Sequence, residues 1–286
     1  MSISLGILFG IIAMIGWGLS DFFVAKIVKK TSIFKTFFWS QAISLIPFFA
    51  IFVLFFKIPF LTSLMLFIIF TASLLGFIGL MSLYKSFQIG VISIVSPVAA
   101  SSSVITVILS LVFLKETLSG LQAIGVSLAI LGAILVSFKF HDLIKLKLKN
   151  IAAGVEFAVV AMLAWGISFV LIDVMVAELG WFIPVFFIKV LGVVFALAYA
   201  AMAKKDIKFP ANFTLLIISV AALEAVAFLS IGAGIGTDLT AIVVPIASAF
   251  PAITIILARI FFKEILDINQ KIGVAAVLLG LVLLSI

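Results

Sequence analysis

Cysteine is absent from the 286 residues, so the chain has no disulfide, no thiol nucleophile and no thiolate metal site. Histidine occurs once, at His141, which excludes a histidine-rich metal cluster. Charge is scarce as well: 10% of residues are charged and 66% are hydrophobic, with a mean hydropathy of +1.53. A soluble domain carries about 25% charged residues. A chain this poor in charge cannot cover its own surface with polar groups, which excludes a soluble enzyme, a disordered chain and a nucleic-acid-binding domain. No Gly-x4-Gly-Lys-Ser/Thr run occurs, so no phosphate loop is available for ATP hydrolysis. Strict polar–apolar alternation is missing too, which argues against a membrane β-barrel. Met1 to Phe9 has no basic residue, and its apolar run continues past Ser20, so it reads as a first membrane span and not as a cleaved signal.

What is present is long apolar sequence. A helix needs about 20 apolar residues to cross a hydrocarbon core of ~30 Å. Charge clusters and turn residues divide the chain into ten such runs: 3–24, 33–56, 61–84, 90–113, 118–138, 152–172, 181–203, 212–234, 239–262 and 267–286. Backbone groups in lipid must bond within their own segment, which leaves helices. The expected fold is an all-α integral membrane protein with ten transmembrane helices.

The chain also repeats itself at an offset of 148 residues. Ala13-Met14, Trp17-Gly18 and Ser20 recur as Ala161-Met162, Trp165-Gly166 and Ser168. Pro97 recurs as Pro245, Lys115-Glu116 as Lys263-Glu264, and Gly125 and Gly132 as Gly273 and Gly280. Between 97 and 138, eighteen of forty-two positions equal their partners without a gap. Apolar bias yields chance Leu and Ile matches, but not Pro, Lys-Glu and Trp-Gly at one offset. The division is then a five-helix repeat over 1–138, a basic linker over 139–150 and a second five-helix repeat over 151–286. Five is odd, so the second repeat enters the membrane upside down relative to the first, the inverted architecture of many secondary carriers.

The Ala-Met-x-x-Trp-Gly-x-Ser start of each half, the Ser/Val-Pro of the fourth helix and the Leu/Phe-Lys-Glu-x-Leu junction before a Gly-x6-Gly helix resemble the EamA-type domain of the drug/metabolite transporter superfamily. The resemblance covers nearly the whole chain, twice. It implies ten helices, a central cavity and transport of small metabolites such as amino acids or related solutes, often as efflux.

Ionisable groups at the centre of a membrane helix cost at least ~2.5 kcal/mol, so each asks for a reason. Glu224 in the eighth helix and Lys189 in the seventh both fall about 12 Å from the side that holds the N-terminus. They can form a pair or share a cavity, serving as a proton-coupled carboxylate beside a lysine, as a site for an ammonium and a carboxylate, or as a purely structural ion pair. Gln41 is the repeat partner of Lys189, and pseudo-symmetry turns both toward one axis. Trp17 and Trp165 lie deeper than an interfacial belt and read as helix packing or as a cavity wall or gate. Pro97 with Ser101, Ser102 and Ser103 in the fourth helix, and Pro245 in the ninth, free backbone carbonyls for a solute or a hinge. Tyr84 falls at a cavity mouth or anchors to head groups. Asp21 and Asp173 read as solvated near helix ends. The Gly125/Gly132 and Gly273/Gly280 helices read as the packing seam, and the Lys-Glu pairs as helix caps.

Of the eighteen Lys and Arg, fifteen fall on the side opposite the N-terminus. The positive-inside rule places both termini outside the cell membrane, whereas the resemblance implies the reverse. The expected function is secondary transport of a small polar solute by alternating access, with protons as a candidate coupling ion and membrane lipid as the surroundings. No cofactor is implied, and the sequence is silent on oligomeric state. A passive channel or a lipid-linked-solute flippase remains the alternative. An intramembrane enzyme is the weaker class, since no clustered Asp or His, and no Ser–His pair, is available.

Overall fold

A computed structural model describes residues 4–28, 30–90, 95, 98–136, 154–262 and 267–284. Pro97, Lys263-Glu264 and the expected linker 139–150 lie outside them. The described residues are helical apart from short turns and connections, with no strand among them. The helices are α1 (Leu5–Ile27), α2 (Ile33–Phe55), α3 (Ser63–Ile89), α4 (Ser102–Leu109), α5 (Gly120–Val136), α6 (Val155–Leu179), α7 (Phe182–Met202), α8 (Thr214–Ile235), α9 (Thr240–Ser248), α10 (Phe250–Phe262) and α11 (Ile268–Leu284). Six of them, α1, α2, α3, α6, α7 and α8, are long and apolar enough to cross a membrane. Four shorter apolar helices, Val98–Leu114, Gly120–Val136, Thr240–Thr254 and Ile268–Leu284, stand where the remaining expected spans fall.

Local chemistry sets the ends. The Ser4 hydroxyl accepts the Ile7 N–H to open α1, and Thr62 does the same for Met65 at the start of α3. The Glu116 carboxylate, in the junction after α4, accepts the Thr240 and Ala241 N–H groups at 2.7 and 2.8 Å. It therefore caps α9 from the other half of the chain, where the helix dipole favours negative charge. Beyond α4 a π-helical turn, Ser110–Leu114, ends on Lys115 in the left-handed region at φ +56°.

Ala249 separates α9 from α10. Pro251 has no N–H for the Ala247 carbonyl, which removes one bond of the ladder there. The chain instead turns through a tight bond from the Ala252 N–H to the Ala249 carbonyl. The first half breaks at the equivalent place, with Val104 N–H bonded to the Ser101 carbonyl, although Ser103 stands where the second half has Pro251.

The halves interlock through equivalent pairs. α1 packs on α8 as α6 packs on α3, while α2 meets α7 and α5 meets α11. The α5–α11 contact is antiparallel: a Cβ on Gly132 would lie 2.7 Å from the Val277 nitrogen, and one on Gly280 would lie 2.7 Å from the Gly125 carbonyl. Such close approach maximises dispersion between backbones where no hydrophobic effect acts. The α2–α7 contact is an antiparallel aromatic clasp, with Phe52 on Phe186 and Phe56 on Phe182, each at 4.4 Å between centroids. Two side-chain bonds repeat at the offset of the halves. Thr106 donates to the Gly166 carbonyl at 3.2 Å, and Thr254 to the Gly18 carbonyl at 3.0 Å.

Candidate functional site

With α5 and α11 closed on each other, the other helices surround a cavity that leaves about 100 Å³ open to water. Its wall is mostly apolar, with a few charged and polar groups set into it. Lys189 of α7 points inward from a helix whose first turns carry the aromatic clasp. Its ammonium donates to the Gln41 Oε1 at 2.8 Å. It lies 3.6 Å from the Glu224 Oε2 of α8, an ion pair longer than a hydrogen bond, and 4.7 Å from the centre of the Phe228 ring. The Ser20 hydroxyl of α1 donates to the other Glu224 oxygen at 3.3 Å. Lys189, Glu224 and Gln41 are 5%, 6% and 7% exposed, so all three are buried within the bundle. One donor in this group has no protein partner: the Gln41 Nε2 is buried and unbonded on the cavity wall.

This arrangement has a physical logic. A lone buried ion is costly, and removing one partner of a buried pair costs about 3–5 kcal/mol. Lys189 and Glu224 compensate each other, Phe228 offers its ring face to the ammonium, and Ser20 and Gln41 supply a bond each. The unbonded Gln41 amide and the remaining ammonium donors are the unfilled part of the set.

Of the sequence-derived candidates, the structure brings Glu224, Lys189, Gln41, Trp17, Trp165 and Ser102 to the cavity wall. Trp17 sits against Phe169 and Phe250, at 6.1 and 6.5 Å between centroids. Trp165 both lines the cavity and presses on α3, where a Cβ on Gly79 would come within 2.6 Å of its indole. Ser101, Ser103, Pro245 and Tyr84 are off the wall. Ser101 forms the break before α4, the buried Ser103 hydroxyl bonds back to the Ala100 carbonyl, and Pro245 is buried within α9. Pro97 lies outside the described residues. Tyr84 corrects the head-group reading: it is 1% exposed and packs edge-on against Phe37.

Asp21 is a second correction. Read as a solvated residue near a helix end, it lines the cavity instead, because α1 runs on to Ile27 and leaves it more than a turn inside. Ser20 and Ser168 also belong to the wall or its charged group. Their signal was present in the repeated Trp-Gly-x-Ser, where three residues of separation put the serine on the tryptophan's face.

A helical protein of repeated halves, packed around a buried charged group and carrying six helices long and apolar enough to cross a membrane, is a multi-pass membrane protein. Both halves match the EamA-like transporter family, over residues 4–138 and 152–286, and the chain belongs to that family. Among curated proteins, the chain is similar to Uncharacterized protein MJ1333.1 of Methanocaldococcus jannaschii, with 49% identity over 45 residues, which is 16% of this chain and 33% of that protein. The match thus spans a third of that relative's length. Among solved structures, a crystal structure superposes on all of this chain and 99% of its own, with a TM-score of 0.76 at 13% identity, a likeness of fold.

Proposed function

We propose that this transporter carries a small polar metabolite, an amino acid or a related zwitterion, by alternating access around the central cavity. The observation that carries the reading is the group Gln41–Lys189–Glu224, buried on the wall of the central cavity and holding one unused amide donor. An ammonium and a carboxylate 3.6 Å apart match the charge separation of an α-amino acid lying head to tail beside them. The substrate carboxylate takes Lys189 and the Gln41 Nε2, and its ammonium takes Glu224. Trp17 and Trp165 face each other's halves as walls, and Ser102 opens the lower half of the broken fourth helix toward the solute.

The halves are two inverted five-helix units, and all ten helical segments cross the bilayer. Support comes from the antiparallel packing of equivalent helices, α5 on α11 and α2 on α7. Further support comes from the ends. Ser4 bonds Asp238, and Glu116 bonds Thr240, joining segments assigned to the side of the N-terminus. Trp39 bonds Ile207 and Lys35 pairs with Asp206, joining segments assigned to the other side. With the positive residues of this chain on that other side, both termini are outside the cell membrane. The carboxylates in the cavity make a proton gradient the driving force.

The test is counterflow in proteoliposomes, with radiolabelled amino acids. Saturable flux accelerated by unlabelled amino acid on the far side supports the carrier. Flux that rises without saturation assigns a channel, and scrambling of labelled lipid assigns a flippase.

A further inference from the structure

Helix-interior glycines in this protein have a shared reason, with two exceptions. At Gly16, Gly18, Gly79, Gly132, Gly166 and their like, an added Cβ would meet a neighbouring helix at 3.1 Å or less. Those glycines buy close packing. Gly76 of α3 and Gly192 of α7 do not. A Cβ on Gly76 would find its nearest neighbour, the Ile188 side chain, at an ordinary 3.8 Å, and one on Gly192 would meet nothing within 4 Å. Both line the cavity, and Gly192 follows Ile188 by one turn on the same face of α7. A glycine inside a helix gives up helix propensity relative to alanine, here without any return in packing.

The repeat sharpens the point. The partner of Gly76 is Glu224, and the partner of Gly192 is Ser44. At the first of these pairs one half puts a carboxylate on the cavity wall where the other leaves room, and Gly192 opens the wall one turn beyond Lys189. Ile188 stands beside Gly76, Phe77 and Leu80 line the same cavity, and so does Gln41 with its unbonded amide. An apolar recess beside a vacant polar donor fits a solute with one charged end and one hydrocarbon end.

We infer that Gly76 and Gly192 are specificity-determining residues, and that the hollow between them receives the apolar side group of a zwitterionic amino acid whose charged end sits at Gln41, Lys189 and Glu224. This rests on the zwitterion reading proposed above. The hollow admits branched or aromatic side groups because neither glycine carries a side chain. Filling either position excludes large side groups first and small ones last.

The experiment combines unliganded stability with a graded ligand series on the purified full-length protein. The probes are glycine, L-alanine, L-valine, L-leucine and L-phenylalanine, and the readouts are thermal midpoint and binding affinity. In the wild type, affinity rises along the series by about fourfold per buried methylene. Gly192→Leu removes that rise while glycine still binds, and Gly76→Ala trims it at phenylalanine. Without ligand, Gly192→Ala has a thermal midpoint equal to or above the wild type, as empty space requires. A lowered midpoint in unliganded Gly192→Ala, or an unchanged size series in Gly192→Leu, overturns the assignment of the hollow and leaves the zwitterion reading intact. A wild type that responds to none of the five overturns the zwitterion reading and the subsite with it.

Discussion

Gln41 and Lys189 stand at equivalent positions of the two halves, 148 residues apart, and the lysine ammonium donates straight to the glutamine amide oxygen across 2.8 Å. Equivalent residues in contact must lie beside the axis that relates the halves. The symmetry of the fold is therefore broken chemically at its own centre, with a cation on one side and a neutral amide on the other. Glu224 answers the cation.

The first prediction concerns that group. Lys189→Met alone leaves Glu224 buried and unpaired and costs about 3–5 kcal/mol of stability. Glu224→Gln leaves the ammonium in the same position, at a similar cost. The double variant recovers much of the loss, because neither charge remains. Thermal unfolding of purified protein reads the cycle. Flux driven by a pH gradient is lost in Glu224→Gln, and persistence of its proton dependence removes Glu224 from coupling.

The paired threonine bonds give a second prediction. Thr106→Val and Thr254→Val each lose a bond to a glycine carbonyl of the opposite half. Such interhelical bonds in membranes average about 0.6 kcal/mol. The two sites share no partner, so the double variant loses roughly the sum. Unfolding in graded denaturing detergent measures it.

A third contrast is between packed and open glycine. Gly273→Ala forces a Cβ to within 2.6 Å of the Val136 nitrogen, a backbone atom that cannot swing away. Overpacking of this kind costs about 1–3 kcal/mol. The thermal midpoint falls, whereas Gly192→Ala does not lower it.

Asp206 supplies a pH dependence outside the membrane segments. The hydrogen bond from Lys35, joined by the Lys208 backbone N–H, holds its carboxyl below the ordinary carboxylate range. A folded-state value below the unfolded one means that its contribution is present above the unfolded value. The contribution is lost as pH falls through the folded one. The carboxylate is exposed, so the effect is small and is screened by salt. Asp206→Asn flattens the acid limb of the stability profile at low ionic strength only.

Orientation is tested at the chain ends. A reporter active only in the cytoplasm is silent when fused after Ile286, and active when inserted in the 203–210 connection that carries Lys204, Lys205 and Lys208. The opposite pattern reverses the assignment drawn from the charge count.

The parts of this fold that hydropathy and repetition control were legible in the sequence. The apolar runs, the 148-residue offset and the pairing of Lys189 with Glu224 follow from length, spacing and the cost of buried charge. The α5–α11 seam followed from glycines seven apart. Asp21 did not, because its distance from a helix end depends on how far α1 continues past the apolar run. The break at Ser101 carries no proline to announce it. Gly76 and Gly192 look like any packing glycine until their surroundings are known.

The two breaks in the fourth-helix positions are alike in place and unlike in chemistry. Ala249 is followed by Pro251, which fixes its turn, while Ser101 is followed by Ser103, which can rejoin the ladder. The Ser101 joint is the freer of the two to straighten. If inward-facing and outward-facing forms arise by exchanging the shapes of the halves, they cannot be isoenergetic, and the empty protein rests with a bias toward one face of the membrane.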